Sequence, residues 1–272
     1  RRIKMEYRAK LKDCKRVVVK VGTTSLTYPN GKFNLKKIDR LSKMLTDLTN
    51  RGMDVVLVSS GAIAIGAEKL GLAERPRDLI GKQAASAVGQ GLLMQMYEKF
   101  FSEYNQKIAQ VLLTKPVFDA ESKRRNASNT INRLLEMDVI PVVNENDTIS
   151  TDELNEFSDN DTLSSYVAAL IKSDLLIILS DIDGMYTADP NKNKNAEIID
   201  TVPEITDEIY SLAGGSASRL GTGGMVTKVK AADYLRKKNV SMVIASGDDP
   251  DVVYDILDGK KVGTLFVGGN IG

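Results

Sequence analysis

The feature that most constrains the fold of this chain is a series of short, nearly continuous apolar runs rich in Val, Ile and Leu. The runs lie at 16–21, 54–60, 108–114, 139–143, 175–180, 240–246 and 264–267. Strands that are covered on both faces carry such runs, whereas strands with one solvated face alternate apolar and polar residues. The sequence therefore predicts a sheet that is buried between two layers.

Segments with the spacing of amphipathic helices separate these runs. Apolar residues recur at intervals of three and four within 38–48, 92–100 and 163–171. Alternating strands and helices favour a parallel sheet with right-handed crossovers. We expect an α/β fold with an open, mainly parallel sheet sandwiched between helices, in a single domain with an N-lobe at 15–172 and a C-lobe at 173–268.

Composition excludes several classes of catalytic site. The chain has no His and one Cys, so Ser-His-Asp triads, HExxH zinc sites, Fe–S clusters and disulfides are excluded. The 37 Lys and Arg nearly balance the 36 Asp and Glu, which argues against a nucleic-acid partner. No apolar run approaches the roughly 18 residues that a membrane span needs, so we expect no membrane partner and a cytoplasmic location.

The first residues are interpreted separately. A short basic stretch, Arg1 to Lys4, precedes Met5, and we interpret it as added linker sequence or a native extension. Residues 1–14 are expected to form an N-terminal extension. Cys14, at the end of this extension, is interpreted as half-buried and without a catalytic role.

Ligands of open parallel sheets bind beyond the carboxyl ends of the strands, so the residues after each run are candidates for a site. Gly22 and Thr23 follow the first run, and Ser60 and Gly61 lie at the end of the second. Such glycine turns suit either the close approach of an anion or merely a tight turn. Lys20 is more informative, because an ammonium group among apolar neighbours is costly without an anionic partner.

Two clusters of Asn and Asp follow the fourth run. The first includes Asn144 and Asp147, and the second includes Asp159, Asn160 and Asp161 at the start of a predicted helix. An N-cap would explain either Asp159 or Asp161, but not both clusters. The surplus favours a polar substrate pocket, or a metal site held by carboxylates and water. No set of metal ligands is directly identifiable from these residues.

The remaining candidates are Ser180 and Asp181, at the end of the fifth run, and the segment GTGGMVTK at 221–228. Glycines at the start of a helix expose backbone amides to the positive end of the dipole, which suits a phosphate, and Lys228 follows about one turn later. The chain contains neither GxxxxGK[ST] nor GxGxxG, so this would be a phosphate site of another kind. A plain glycine-rich helix terminus is the alternative.

These motifs together resemble those of a known family. KVGT (20–23), SSGA (59–62), NEND (144–147), DND (159–161), SDIDG (180–184) and TGGMVTK (222–228) occur in the order found in the amino acid kinase family. The resemblance covers nearly all of 15–268 and is strongest to the branch that phosphorylates free L-glutamate. Many members of that branch continue into a PUA domain. We expect none here, so 15–272 resembles a short form.

The resemblance implies a role for each candidate residue. Lys20 and Lys228 would flank the transferring phosphoryl group, and Asp161 would hold them, as the catalytic residues. Substrate binding is implied for Ser60, Gly61, Asn144, Asp147 and Asn160. ATP binding is implied for Lys20, Gly22, Thr23, Ser180, Asp181, Thr222, Gly223, Gly224, Met225, Val226, Thr227 and Lys228.

The implied reaction is ATP-dependent phosphorylation of the γ-carboxylate of L-glutamate to L-glutamyl 5-phosphate, the first step of proline biosynthesis, with Mg²⁺ as cofactor. Homo-oligomerisation and feedback inhibition by proline are also implied. A carboxylate with a pKa of about 4.3 is already ionised at neutral pH, so the reaction needs no histidine base. Two alternatives stay open: a sibling kinase acting on N-acetylglutamate, carbamate or UMP, and a non-catalytic sensor of amino acids or nucleotides.

Overall fold

The computed structural model describes residues 7–28, 30–149, 159–190, 192–214 and 224–269. Within these ranges one sheet of eight strands runs through the molecule, in the order β3-β4-β2-β1-β5-β7-β8-β6. The strands are β1 (Arg16–Val21), β2 (Asp54–Ser59), β3 (Ile108–Leu113), β4 (Ile140–Glu145), β5 (Leu175–Ser180), β6 (Thr201–Val202), β7 (Ser241–Ser246) and β8 (Thr264–Phe266). Each predicted run is thus a strand, and β6 is an additional one.

Helices connect most of these strands and cover both faces of the sheet. They are α1 (Thr23–Leu26), α2 (Leu35–Asn50), α3 (Ala62–Lys69), α4 (Leu79–Glu103), α5 (Lys115–Asp119), α6 (Glu121–Leu135), α7 (Asn160–Leu170), α8 (Asp207–Gly214), α9 (Met225–Arg236) and α10 (Val252–Leu257). A 3₁₀ turn at Lys10–Asp13 precedes β1. No helix in the described ranges has the length and apolarity to cross a lipid bilayer.

The pairing of the strands places a crevice at the centre of the sheet. β1 pairs in parallel with β2 on one side and with β5 on the other. The chain runs from β1 to β2 on one side and later crosses from β4 to β5 on the other, so the strand order reverses beside β1, and ligands bind at such a switch point. Only the β7–β8 pair is antiparallel among the described strands, so the predicted open, mainly parallel sheet between helices is confirmed.

The alternation of side chains along β1 explains how the site is built. Val17, Val19 and Val21 belong to the apolar layer on one face of the sheet, and Val18 belongs to the layer on the other. Because side chains alternate along a strand, Lys20 lies on the face of Val18, the face covered by α7 and α9. The lysine thus lies next to the end of a buried strand, on the face that two helices cover.

Two glycines let α3 and α4 pack backbone against backbone. A Cβ atom on Gly66 would lie 1.8 Å from the carbonyl oxygen of Ala85, and one on Gly89 would lie 1.8 Å from that of Ala62. Real side chains do not tolerate such distances, so only glycine fits at either position. This contact fixes the face of α4 that is turned toward the end of β2.

Arg8 ties the start of the described chain to its far end. Its guanidinium donates hydrogen bonds to the carbonyl oxygens of Lys260, Val262, Asp200 and Gly263 at 2.7–2.9 Å. It also forms an ion pair with the Asp200 carboxylate at 2.9 Å, and the arginine is only 1% exposed. The segment before β1 therefore packs as part of the folded body from Tyr7 onward.

Candidate active site

The carboxyl ends of β1, β2, β4 and β5 converge on the central crevice. They bring together Lys20, Ser60, Asn144 and Ser180, which the sequence placed after separate strands. Asp161 enters the same crevice from the first turn of α7, and Lys228 enters it from the first turn of α9. The residues divide into a group around the two lysines and a group around Asn160.

A carboxylate bridging two ammonium groups forms the centre of the site. Lys20 Nζ lies 2.6 Å from Asp161 Oδ1, and Lys228 Nζ donates to Asp161 Oδ2 at 2.9 Å. The exposed fractions are 7% for Lys20, 8% for Lys228 and 2% for Asp161. Two positive charges are therefore held beside one negative charge at the wall of the cleft.

The electrostatics of Asp161 follow from this arrangement. Burial alone would raise the pKa of its carboxyl group, but the nearby Lys20 and Lys228 outweigh burial and keep that pKa below the ordinary value. The carboxylate is consequently ionised at any physiological pH. It acts as a permanent anchor for the two ammonium groups and not as a proton donor.

Two aspartates at the start of α7 have different roles. Asp159 is the N-cap, and its Oδ1 accepts a hydrogen bond from the backbone N of Asp161 at 3.0 Å. The capping and pocket interpretations of this cluster thus apply to different residues. Asp161 is free of the capping role, so its carboxylate is available to the lysines.

A narrow cleft of about 200 Å³ opens in front of the two lysines. Its walls combine cations, carboxylates, hydroxyls and glycine backbone. They are formed by Lys20, Gly22, Thr24, Asp159, Asp161, Leu179, Ser180, Asp181, Gly224, Thr227 and Lys228. Gly224 has a φ of 62° and precedes α9, and Thr227 Oγ1 donates back to its carbonyl oxygen at 2.9 Å.

Some residues implied in nucleotide binding are not among those that line this cleft. Val226 is buried, and Met225 packs against the apolar layer. Thr23 is the first residue of α1, beside the cleft-lining Gly22. Thr222 and Gly223 lie outside the described residues.

The second group of residues surrounds the side chain of Asn160. Its Nδ2 donates to the carbonyl oxygen of Ser59 at 3.0 Å, to Ser60 Oγ at 2.8 Å and to Asn144 Oδ1 at 3.2 Å. Gly61 follows with a φ of 104°, in the left-handed region that favours glycine, and starts α3. Three of the five implied substrate residues, Ser60, Asn144 and Asn160, are thus joined in one network, and Gly61 is the chain neighbour of Ser60.

Asp147, the fifth implied substrate residue, lies slightly apart from this network. Its Oδ2 accepts a hydrogen bond from Ser86 Oγ at 2.9 Å. Burial raises the pKa of Asp147, and the Ser86 hydrogen bond and the nearby Arg75 only partly oppose this. A half-buried carboxylate with a raised pKa and no cation in an ion pair with it, among the described residues, is suited to receive a cationic group of a ligand.

Sequence reasoning missed the contribution of α4. Ser86 and Gln90 lie four residues apart and are both buried, and Gln90 Oε1 accepts from Asn144 Nδ2 at 2.8 Å. Two turns further along, the hydroxyl group of Tyr97 forms a hydrogen bond of 2.8 Å with Ser59 Oγ. The signal was available: these polar residues share a helix face with buried Leu93. Only the apolar residues of that helix were used to predict it.

Among the described residues, no group of three or more Asp, Glu or Cys side chains is arranged to hold a metal ion. The carboxylates of Asp159 and Asp181 nevertheless line the cleft. One or two carboxylates together with phosphate oxygens are a common way for proteins to bind Mg²⁺. The donor set therefore fits a magnesium ion that arrives with a nucleotide and does not fit a cage made by protein alone.

Comparison with known proteins agrees with this geometry. Residues 15–246 match the sequence profile of the amino acid kinase family. A glutamate 5-kinase from Clostridium perfringens is 51% identical over 263 residues, covering 96% of this chain and 98% of the relative. A glutamate 5-kinase from Enterococcus faecalis is 48% identical over 265 residues, with the same coverage of 96% and 98%.

Solved structures with the same fold are more distant in sequence. The UMP kinase of Bacillus anthracis superposes with a TM-score of 0.63 at 19% identity, covering 93% of this chain and 96% of the other. The UMP kinase of Ureaplasma parvum gives a TM-score of 0.64 at 16% identity, covering 93% and 99%. At such low identity these two similarities establish the fold alone.

Proposed function

Because this chain belongs to the amino acid kinase family, we propose that it transfers the γ-phosphoryl group of ATP to the side-chain carboxylate of L-glutamate. The product is L-glutamyl 5-phosphate, the first intermediate of proline biosynthesis. Relatives named glutamate 5-kinase share about half of its residues over nearly their whole length. The observation that carries the proposal is the pair of buried lysines held by Asp161 at the switch point of the sheet.

The site matches what this reaction requires. A carboxylate oxygen of glutamate attacks the γ-phosphorus, the bond to the β,γ-bridging oxygen breaks, and its electron pair stays on ADP. The nucleophile is ionised at neutral pH, so no general base takes part. The enzyme has to align the reactants and to place positive charge around the transferring group. Lys20 and Lys228 supply that charge from opposite sides of the cleft, and Asp161 sets their positions.

The nucleotide would occupy the cleft in front of the lysines. Ser180 and Asp181 line one wall, and Gly224 and Thr227 line another. The start of α9 presents unpaired backbone N–H groups and the positive end of the helix dipole, which suit the phosphates. The implied roles of Thr222 and Gly223 belong to the same segment of sequence.

The Asn160 network would bind glutamate. Asn160 donates to Ser60 Oγ and so orients this hydroxyl, which keeps its own hydrogen to donate to a substrate carboxylate close to the end of β1. Asp147 would pair with the α-ammonium group, which restores the ionised form that burial disfavours. Gln90 would act as a positioning residue, because it holds Asn144, which in turn holds Asn160.

We propose that Mg²⁺ binds to the site together with ATP. Asp159 and Asp181 are the cleft carboxylates that would hold the ion together with the phosphates. When bound, the ion neutralises phosphate charge that would otherwise repel the incoming carboxylate. The residues of the chain itself bind and orient the two substrates.

Asp147 separates this proposal from the sibling kinases. N-acetylglutamate has no ammonium group, and neither carbamate nor UMP offers an α-ammonium, so any of them would leave the half-buried Asp147 carboxylate unpaired. A non-catalytic sensor would not need the two lysines to converge on one carboxylate. Binding of ATP without turnover is the result that would favour a sensor.

A hydroxylamine-trapping assay tests the function. The protein is incubated with ATP, Mg²⁺ and L-glutamate, and the acyl phosphate is captured as a hydroxamate. We expect hydroxamate with L-glutamate, none with N-acetyl-L-glutamate, and no release of ADP with UMP or carbamate. Equal rates with free and acetylated glutamate would move the chain to another branch of the family. Release of ADP without hydroxamate would contradict acyl-phosphate formation.

We also propose that the protein acts in the cytoplasm as a homo-oligomer and that proline inhibits it. The edge strand β3 and the neighbouring face of α4, with Met94 and Gln95, leave an open groove beside Ile108 that a second copy would cover. Proline carries the same α-carboxylate and α-nitrogen as glutamate and would compete for Asp147. Light scattering and inhibition kinetics against glutamate test these two proposals.

A further inference from the structure

A second cleft lies outside the catalytic site, among α5, α6, α7 and α9. Its volume is about 560 Å³, within the roughly 300–1,000 Å³ typical of small-molecule sites. None of the residues that line it also lines the nucleotide cleft. The proposed function gives this cleft no role.

One wall of the second cleft is aromatic. The rings of Tyr166 and Tyr234 stack with centroids 4.6 Å apart and planes inclined by 18°. Phe118 packs its ring against Tyr166 at 5.1 Å and 66°. Aromatic faces of this kind bind planar rings by extending the stack.

The rim of the cleft is positively charged. Arg124, Arg125 and Lys238 line it together with a single acidic residue, Glu121, which leaves a surplus of two positive charges. Among the described residues, neither Arg125 nor Lys238 has an ion-pair or hydrogen-bond partner for its side chain. Arg124 is held in place because it donates to the carbonyl oxygen of Phe118 at 3.0 Å. Guanidinium groups are the preferred protein ligands of phosphate.

The helices that carry the tyrosines also carry the catalytic ion pairs. Tyr166 follows Asp161 on α7 by five residues, or about 7.5 Å along the axis, and Tyr234 follows Lys228 on α9 by six, or about 9 Å. The spacing of α7 and α9 is thus set at one end by Asp161 and Lys228 and at the other by the tyrosine stack. A ligand that presses on the stack would change the position of Lys228 relative to Asp161.

We propose that this second cleft is an effector site for a planar ring that carries a phosphate group, the chemistry of a nucleoside monophosphate. The aromatic wall binds the ring, and Arg124, Arg125 and Lys238 bind the phosphate. Occupancy alters turnover through the α7–α9 contact. The link to turnover rests on the proposed function, whereas the binding itself does not.

Binding is tested with 5′-GMP as the probe, by calorimetry on protein whose catalytic cleft is saturated with ADP and L-glutamate. We expect one further equivalent of 5′-GMP to bind, and guanosine or inorganic phosphate to bind at least ten-fold more weakly. Arg125→Glu and Lys238→Glu should each weaken binding of 5′-GMP about ten-fold or more. Neither residue has a partner among the described residues, so both variants should fold. Lys123→Glu, an exposed neighbour that does not line the cleft, is the matched control and should bind like wild type.

Three results would overturn the effector site. The first is the absence of a second equivalent in wild type, and the second is equal loss of binding in the Lys123 control. The third is equal binding of phosphate and 5′-GMP, because the ring would then contribute nothing. The coupling is tested by kcat, which should change with 5′-GMP in wild type and in Lys123→Glu but not in Arg125→Glu. Bound 5′-GMP with an unchanged wild-type kcat would overturn the coupling, and a protein without kinase activity would leave the calorimetric result standing.

Discussion

Asp159 accepts a hydrogen bond from the backbone N of Asp161, and this bond leaves the Asp161 carboxylate to the two lysines. The two acidic residues at the start of α7 therefore have different roles. Asp159 stabilises the helix, and Asp161 holds the ammonium groups of Lys20 and Lys228 in place. The distinction can be measured by changing each residue alone.

Asp161→Asn should lower both activity and stability. The change leaves two buried ammonium groups without their shared partner, and removing one partner of a buried ion pair typically costs about 3–5 kcal/mol. Asp159→Asn should change the free energy of unfolding little, because Asn caps a helix about as well as Asp. Chemical denaturation of both variants, followed by circular dichroism, measures the difference. Equal stabilities would mean that Asp161 is not an anchor for the lysines.

The stabilising effect of Asp161 should disappear in acid. Its pKa is lower in the folded protein than in the unfolded chain, so the ionised group stabilises the fold at any pH above about 3.9. This stabilisation is lost as the pH falls through the lower, folded-state pKa. The difference in unfolding free energy between wild type and Asp161→Asn should be constant from about pH 5 to 8 and should shrink below about pH 4. A difference that grows in acid would contradict the assignment.

Lys20→Ala and Lys228→Ala should each lower kcat far more than they raise KM for glutamate. Both lysines are assigned to charge that develops in the transition state, and one such contact is worth about 2.7–4 kcal/mol, or a hundred- to a thousand-fold in kcat. Steady-state hydroxamate formation measures the effect. Lys237→Ala is the control, because this exposed lysine at the C-terminal end of α9 pairs with Asp233 on the surface of the same helix. A wild-type kcat in either of the first two variants would make that lysine structural.

Asp147→Asn should weaken glutamate binding and stabilise the fold. Losing the charged partner of an ammonium group costs about 1.5–3 kcal/mol, so KM for glutamate should rise ten-fold or more while KM for ATP stays near wild type. The pKa of Asp147 is raised in the folded state, so its ionised form opposes folding at any pH above that raised value. The melting temperature of the variant at pH 7 should therefore exceed that of wild type. A variant that weakens ATP instead of glutamate would contradict the assigned substrate side.

Gln90→Leu should raise KM for glutamate although Gln90 is assigned no contact with the phosphoryl group. Its loss frees the side chain of Asn144, which helps to fix Asn160. We expect a several-fold rise in KM for glutamate, an unchanged KM for ATP and a smaller change in kcat. Glu103→Leu, at the exposed end of the same helix and outside the groove beside Ile108, is the matched control. A fall in kcat with unchanged KM for glutamate would exclude the positioning role.

The sequence was most informative at residues whose polarity differs from that of their neighbours in the chain. Lys20 could be identified because an ammonium group interrupts an apolar run, and the Asn and Asp clusters because they exceed what a cap needs. Ser86 and Gln90 leave a weaker signal, a pair of polar residues on the apolar face of a long helix, which the spacing of the apolar residues alone does not reveal. The Arg8 guanidinium donates hydrogen bonds to four carbonyl oxygens of residues about 190 to 255 positions away. Every residue has a backbone carbonyl group, so the sequence does not indicate which of them accept these bonds. β6 escaped prediction because two residues are too few to show a period.

The crossing of α3 and α4 limits how this part of the chain can vary over evolutionary time. Neither Gly66 nor Gly89 carries a side chain that could touch a substrate, yet an added methyl at either would have to displace a backbone carbonyl. If both glycines stay unchanged among descendants of this sequence, the reason would be the packing of the two helices and not a contact with substrate. To redesign the site for a different carboxylic acid substrate, both glycines would be kept, because they fix the position of α4. Ser86 and Gln90 on that helix would be varied instead.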